Sequence, residues 1–159
     1  MAVNNLERML ELVESVFAVR TDPEQLDVNE VVLKKLIELH PATVSELSNA
    51  EGPYLWILII PTSEQTMHRF VRKEITESQL LNETRPGEKY SALYLCSALA
   101  LPEYRGKGSA RKLTLEAIER IRKDHPIQYL YVWPFTPEGN TLSEVLSEIT
   151  GLPLFRREG

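Results

Sequence analysis

Apolar residues recur along the chain with two different periods, and the switches between them mark out its elements. From residue 3 to 19, Leu6, Met9, Leu10, Val13, Val16 and Phe17 fall at three- and four-residue spacing with acids between them, the pattern of an amphipathic helix. Asp22-Pro23 breaks it. Leu26, Val28, Val32, Leu33, Leu36, Ile37 and Leu39 predict a second helix over 24–39. His40-Pro41 ends that helix, because a residue before proline is pushed away from helical angles. Residues 42–51 read as one more short helical turn. The first 50 residues are thus expected to form a helical N-terminal segment with no opening strand.

Tyr54 to Ile60 is a run of seven apolar residues between Pro53 and Pro61, short and rich in β-branched and aromatic side chains. That composition predicts a strand buried on both faces. Helical spacing returns over 63–81 through Met67, Phe70, Val71, Ile75, Leu80 and Leu81, with Ser63 or Thr66 as its cap. After the Pro86-Gly87 turn, a second buried strand is predicted from Ser91 to Leu101. A helix opens near Gly108 and ends at His125-Pro126, and a third strand runs from Ile127 to Trp133. The last helix covers 142–150, with Gly151 as a left-handed cap. Strand, turn, helix and strand over 91–133 make a βαβ unit, so its two strands are expected to be parallel. The fold class is α/β, one domain over 1–159: the helical segment 1–50, a sheet core over 53–135, and a final helix and tail over 140–159.

Composition narrows the partners. The 159 residues carry a formal net charge of -5, which argues against a general nucleic-acid binder. Basic residues gather locally, however: Arg105, Lys107, Arg111 and Lys112 stand within eight positions. Such a patch on an acidic protein suits a small anionic ligand. A single cysteine, Cys96, allows no intrachain disulfide and fits a reducing compartment. Residues 1–20 mix Glu7, Arg8, Glu11 and Glu14 with their apolar residues, unlike a secretory signal, and the longest apolar run is too short for a bilayer. A cytoplasmic protein without a membrane partner or a metal is expected.

The segment that carries chemistry runs from Leu99 to Ala110. A buried strand ends at Pro102, two glycines follow within three residues at Gly106 and Gly108, and a helix opens at once. Glycine permits unusual backbone angles and lets a ligand approach the main chain. The first N–H groups of a helix lack intrahelical partners and carry the positive end of its dipole, so they attract anions. With the four basic side chains around it, the turn suits a diphosphate. A P-loop needs two glycines five apart followed by Lys-Ser/Thr, which is not present here. The dinucleotide fingerprint wants three glycines and an acid on the next strand; Ile127 to Trp133 contains none.

Leu101-Pro102-Glu103-Tyr104 followed by Arg105-Gly106-Lys107-Gly108-Ser109-Ala110 resembles the coenzyme A turn of the GNAT superfamily of N-acetyltransferases. A weaker likeness lies downstream. Asn140, Leu146 and Gly151 stand at the family's asparagine, leucine and glycine positions, Leu152 replaces its phenylalanine, and Ser147 replaces its tyrosine. The resemblance implies a three-layer sandwich, a mixed central sheet flanked by helices. It implies main-chain contacts from Leu99 and Leu101 to the pantetheine arm, pyrophosphate binding by Arg105, Gly106, Lys107, Gly108, Ser109 and Ala110, and Asn140 beside the arm. Acetyl-coenzyme A would be the co-substrate, and an amine of a small molecule or protein the acceptor. A homodimer is compatible with it.

Direct attack of an amine on the thioester needs a base and an acid for the leaving thiolate. The family's tyrosine is missing and no acid interrupts 91–101, leaving Tyr131, Ser147 and Glu77 as the candidates. Tyr94 and Tyr129 stand on the same strands. Glu77 and His68 read chiefly as exposed helix residues, and Cys96 as a small buried one. The opening helices, the helical 63–81 and the short tail after Gly151 depart from the family's usual order. Two readings follow: an N-acetyltransferase, or a non-catalytic sensor or interaction module that binds coenzyme A or its thioesters.

Overall fold

A computed structural model describes residues 5, 7–12, 30–134 and 136–158 of the chain. Among the described residues, five strands form one mixed sheet in the order β1-β2-β3-β4-β5. They are β1 (Val44–Asn49), β2 (Gly52–Thr62), β3 (Ala92–Ala100), β4 (Tyr129–Val132) and β5 (Leu154–Arg156). β1 to β3 run antiparallel in succession, while β4 joins β3, and β5 joins β4, in parallel. The helices are α1 (Glu30–Leu39), α2 (Glu64–Val71), α3 (Glu77–Glu83), α4 (Ser109–Asp124) and α5 (Pro137–Thr150), and residues 7–12 are also helical. The protein is of the mixed α/β class. The remainder of the predicted helix over 3–19 and the start of that over 24–39 lie outside the described residues.

The βαβ reading over 91–133 holds: β3 and β4 are parallel and α4 connects them. Gly108 caps α4 in the left-handed region at φ 78°, and Gly151 ends α5 at φ 74°. Ser63 rather than Thr66 caps α2, its hydroxyl accepting the Thr66 N–H at 3.1 Å. β2 runs past both bounding prolines. Pro61 fits because β1 begins opposite Leu58, so on that side the proline's missing N–H faces no neighbouring strand among the described residues.

Three expectations are corrected. Residues 44–49 are not helical: Val44–Asn49 is an edge strand paired with β2, and its polar outer positions hide a strand period. The predicted helix 63–81 divides in two. Lys73 sits at φ 67°, and a capping box between Thr76 and Gln79 restarts the helix as α3. The tail after Gly151 adds a strand, β5, and α5 starts at Pro137, capped by the Thr136 hydroxyl.

The main core lies between the sheet and its helices, with Ile57, Ile59, Leu93, Tyr94, Leu130 and Ile118 among its buried members. A second cluster joins Met9 of the N-terminal helical residues to Leu99 and Leu101, flanked by Tyr54, Trp56 and Tyr104. Near the start of β1, His40 Nδ1 accepts the Ala42 N–H at 3.0 Å, so Nε2 carries the proton donated to Asp124 at 2.7 Å. His125 faces this group, its ring 6.0 Å from that of His40, and its Nδ1 accepts the Tyr90 N–H.

Burial, with lesser contributions from His40 and Lys89, holds His125 below its usual value of 6.5, although Asp124 pulls the other way. Folding therefore favours the neutral ring. Above 6.5 both folded and unfolded chains carry it neutral and the contribution to stability is complete. As the pH falls below that value, the unfolded chain takes up a proton that the folded chain resists, and the contribution is lost by the time the folded ring protonates. Urea unfolding should therefore show lower stability at about pH 5 than at about pH 8, and His125→Gln should reduce that difference. An unchanged difference in the variant would place the pH response elsewhere.

Candidate functional site

The two parallel strands part company partway along. β3 pairs with β4 only from Ala92 to Tyr94, opposite Tyr129 to Tyr131. From Leu95 to Ala100 it keeps β2 on one side and has no strand partner on the other among the described residues. Two local causes are visible. The β2–β3 register skips Cys96, which is the extra residue of a bulge, and bulges bend and twist the strand that carries them. β4 then stops at Val132, and Pro134 cannot donate to a ladder.

The gap opens into a cleft of about 1310 Å³. Its walls are Leu95 to Ala100 of β3 with Leu55, Ile57 and Ile59 of β2, the turn from Tyr104 to Arg111, Val132 to Pro134, and the first half of α5. Most of the wall residues on the strands are apolar, whereas the turn is polar and basic. A ligand with an apolar arm and an anionic head matches that division.

At the turn, Pro102–Tyr104 forms a 3-10 segment, and Gly106 and Gly108 both take positive φ, 76° and 78°. Among the described residues, no side chain caps α4. Its first N–H groups thus keep their capacity for an anion, at the positive end of a 16-residue helix. Arg105, Lys107, Arg111 and Lys112 are exposed, and none forms an ion pair with a described residue. A Cβ built on Gly106 would meet nothing within 4 Å. Open space beside Gly106 is what a ligand approaching the main chain requires.

The turn is braced from behind. The Tyr104 ring stacks on Tyr54 at 4.1 Å, and its hydroxyl accepts from Asn49. Glu103 pairs with Arg8 at 2.7 Å, and Arg105 Nε donates to the Ala100 carbonyl at 3.0 Å. The Arg8 guanidinium holds the Glu103 carboxyl below its usual value. Tyr104 is accordingly half-buried rather than a free turn residue.

The structure brings together part of the predicted set. Leu99, Arg105, Gly106, Lys107, Gly108, Ser109 and Ala110 all line the cleft. Leu101 does not; it is buried against Met9, and its N–H donates to the Tyr54 carbonyl. Asn140 lies in the first turn of α5, between cleft residues Gly139 and Thr141, but its Oδ1 accepts from Arg156 Nε at 2.8 Å.

The candidates for proton transfer lie elsewhere. Tyr131 is fully buried behind the cleft with its hydroxyl on Thr62 at 2.8 Å, and burial drives its pKa far upward. Ser147 donates to the Leu152 carbonyl at 2.6 Å near the end of α5. Glu77 overturns its expected exposure: it has none, and it accepts the Tyr94 hydroxyl. Burial next to that carboxylate likewise pushes the Tyr94 pKa well up. His68 is half-buried against Phe155 and pairs with Glu64, and Tyr129 also meets the Phe155 ring. Cys96 is buried at the cleft wall, as its apolar strand suggests.

Sequence reasoning missed Ser97 and the start of α5 as cleft walls. Thr136-Pro137, a capping residue before a proline at the first helical position, was the available signal for the latter. Fold and site together define a mixed α/β protein with an anion-ready turn at a parted pair of parallel strands. No protein-family model matches the chain, and no curated protein gives a significant match to its sequence.

Proposed function

We propose that the cleft binds coenzyme A thioesters and that the protein is a GNAT-like N-acetyltransferase acting on an amine of a small molecule or a protein. One observation carries this reading: β3 and β4 separate after Tyr94 and Tyr131, and the uncapped start of α4 stands beside the gap. The free side of β3 offers backbone groups to the amides of a pantetheine arm, and the turn at Gly106 and Gly108 offers N–H groups to a pyrophosphate. The basic side chains add charge for the remaining phosphate.

In the transfer, the amine nitrogen attacks the thioester carbonyl, the C–N bond forms and the C–S bond breaks. The thiolate receives a proton, and the amine gives one up to a base or to water. The apolar walls exclude water from the thioester and strengthen any hydrogen bond to its developing oxyanion.

A second reading has its own observation. Tyr131, Ser147 and Glu77 are each engaged with protein partners and none lines the cleft, which favours a non-catalytic coenzyme A-binding module. Calorimetry with coenzyme A and thiol release from acetyl-coenzyme A across an amine panel separate the two. We expect binding in the micromolar range, about −8 kcal/mol, together with thiol release for at least one amine. Binding without turnover would favour the module, and absence of binding would end both readings.

A further inference from the structure

Ser97 stands out among the cleft residues. Its Oγ is shut off from solvent and has no hydrogen-bond partner among the described residues. Buried hydroxyls in folded proteins are paired in the large majority of cases, so an unpaired one calls for an absent partner. Its position supplies the context. Ser97 follows the bulge residue Cys96, lies on the stretch of β3 that β4 has left, and lines the cleft while remaining partly exposed as a residue. Its wall neighbours Leu95, Leu99 and Leu58 have no polar side-chain atoms. A serine hydroxyl turns between staggered positions and can donate or accept.

We infer that Ser97, turned about χ1 from its shielded position toward the cleft, contacts the ligand directly, donating a hydrogen bond to a carbonyl oxygen of an acyl-pantetheine arm that runs along β3. This rests on the coenzyme A reading above. It goes beyond that reading in assigning a side chain to the arm, where the free strand edge supplies only main chain. Two carbonyls on the arm have the required chemistry: the thioester carbonyl and the nearest pantetheine amide.

The test uses the full chain with Ser97→Ala and Ser97→Cys, titrated with coenzyme A and with acetyl-coenzyme A, beside melting curves without ligand. Removing an unpaired hydroxyl should leave the melting temperature unchanged or raise it. Affinity for acetyl-coenzyme A should fall about three- to tenfold in both variants, the loss of one neutral hydrogen bond. Cysteine should not restore it, because a thiol fills the space but is a weak donor. Loss confined to acetyl-coenzyme A would place the bond at the thioester, and equal loss with coenzyme A at the amide; either supports the inference. Wild-type affinity in Ser97→Ala, or recovery in Ser97→Cys, would overturn it while the coenzyme A reading stands. If the wild-type chain binds neither ligand, that reading falls and takes this inference with it.

Discussion

Replacing Gly108 with valine is expected to abolish coenzyme A binding while leaving a folded chain. Two effects act at this position and can be separated. The first is strain: at φ 78° a β-branched residue is disfavoured by about 1–2 kcal/mol, whatever surrounds it. The second is access. Among the described residues, a Cβ on Gly108 would touch only the Arg111 side chain, at 3.5 Å, so the protein's own atoms tolerate it. A pyrophosphate resting on the start of α4 would not, since the added branch occupies the approach to the N–H groups. Gly151→Val supplies the control. Gly151 has nearly the same angle, φ 74°, nothing within 4 Å of its Cβ position, and no place in the cleft wall. Both variants should lose comparable stability in urea, and only Gly108→Val should lose binding, by more than about 100-fold or 2.7 kcal/mol. Equal binding by the two variants would mean that no anion sits at this turn.

That experiment tests the part of the molecule most legible in the sequence, and the reason is local. The stretch 91–133 announces itself because each signal is carried by neighbouring residues: apolar strands that need no pattern beyond continuity, a proline stop, two glycines and a helical stripe. The angles at Gly106 and Gly108 and the parallel pairing follow from those signals. What could not be read depends on partners far along the chain. Val44–Asn49 is a strand because β2 lies beside it; its own composition, with Glu46 and Ser48 outward, is as consistent with a turn. Glu77 reads as a surface acid until Tyr94, 17 residues on, is known to point a hydroxyl at it. The split of 63–81 was within reach, since Thr76 and Gln79 form a capping box, but the apolar stripe continues across the break and masks it. The parting of β3 from β4 belongs with the long-range features: nothing around Cys96 betrays a bulge.

The tail is the extreme case, and it yields the largest expected change in stability. Arg157 is followed by only Glu158 and Gly159 in the sequence as read and is 1% exposed. Its guanidinium lies over two rings, 4.6 Å from that of Phe70 and 4.3 Å from that of Trp133, and Nη1 donates to the Ile75 carbonyl at 2.7 Å. Its own N–H is held by the Val132 carbonyl. The residue thus fastens β5 to the end of β4, to the break between α2 and α3, and to the back of a cleft residue, Trp133. Truncation in Arg157→Ala removes a charge-assisted hydrogen bond and two desolvated cation–π contacts and leaves a void where the side chain lay. We expect a loss of about 3–5 kcal/mol, seen as a fall of roughly 10 °C in melting temperature for a chain of this length. Arg157→Lys should recover only part of it, because an ammonium keeps the charge but cannot present a flat face to both rings. Trp133 fluorescence should shift in the alanine variant as the ring loses its cover, reporting that the cleft wall has loosened with the tail. If Arg157→Ala unfolds within about 1 kcal/mol of wild type, the stacked guanidinium is not what holds the tail, and the β4–β5 pairing must be doing so.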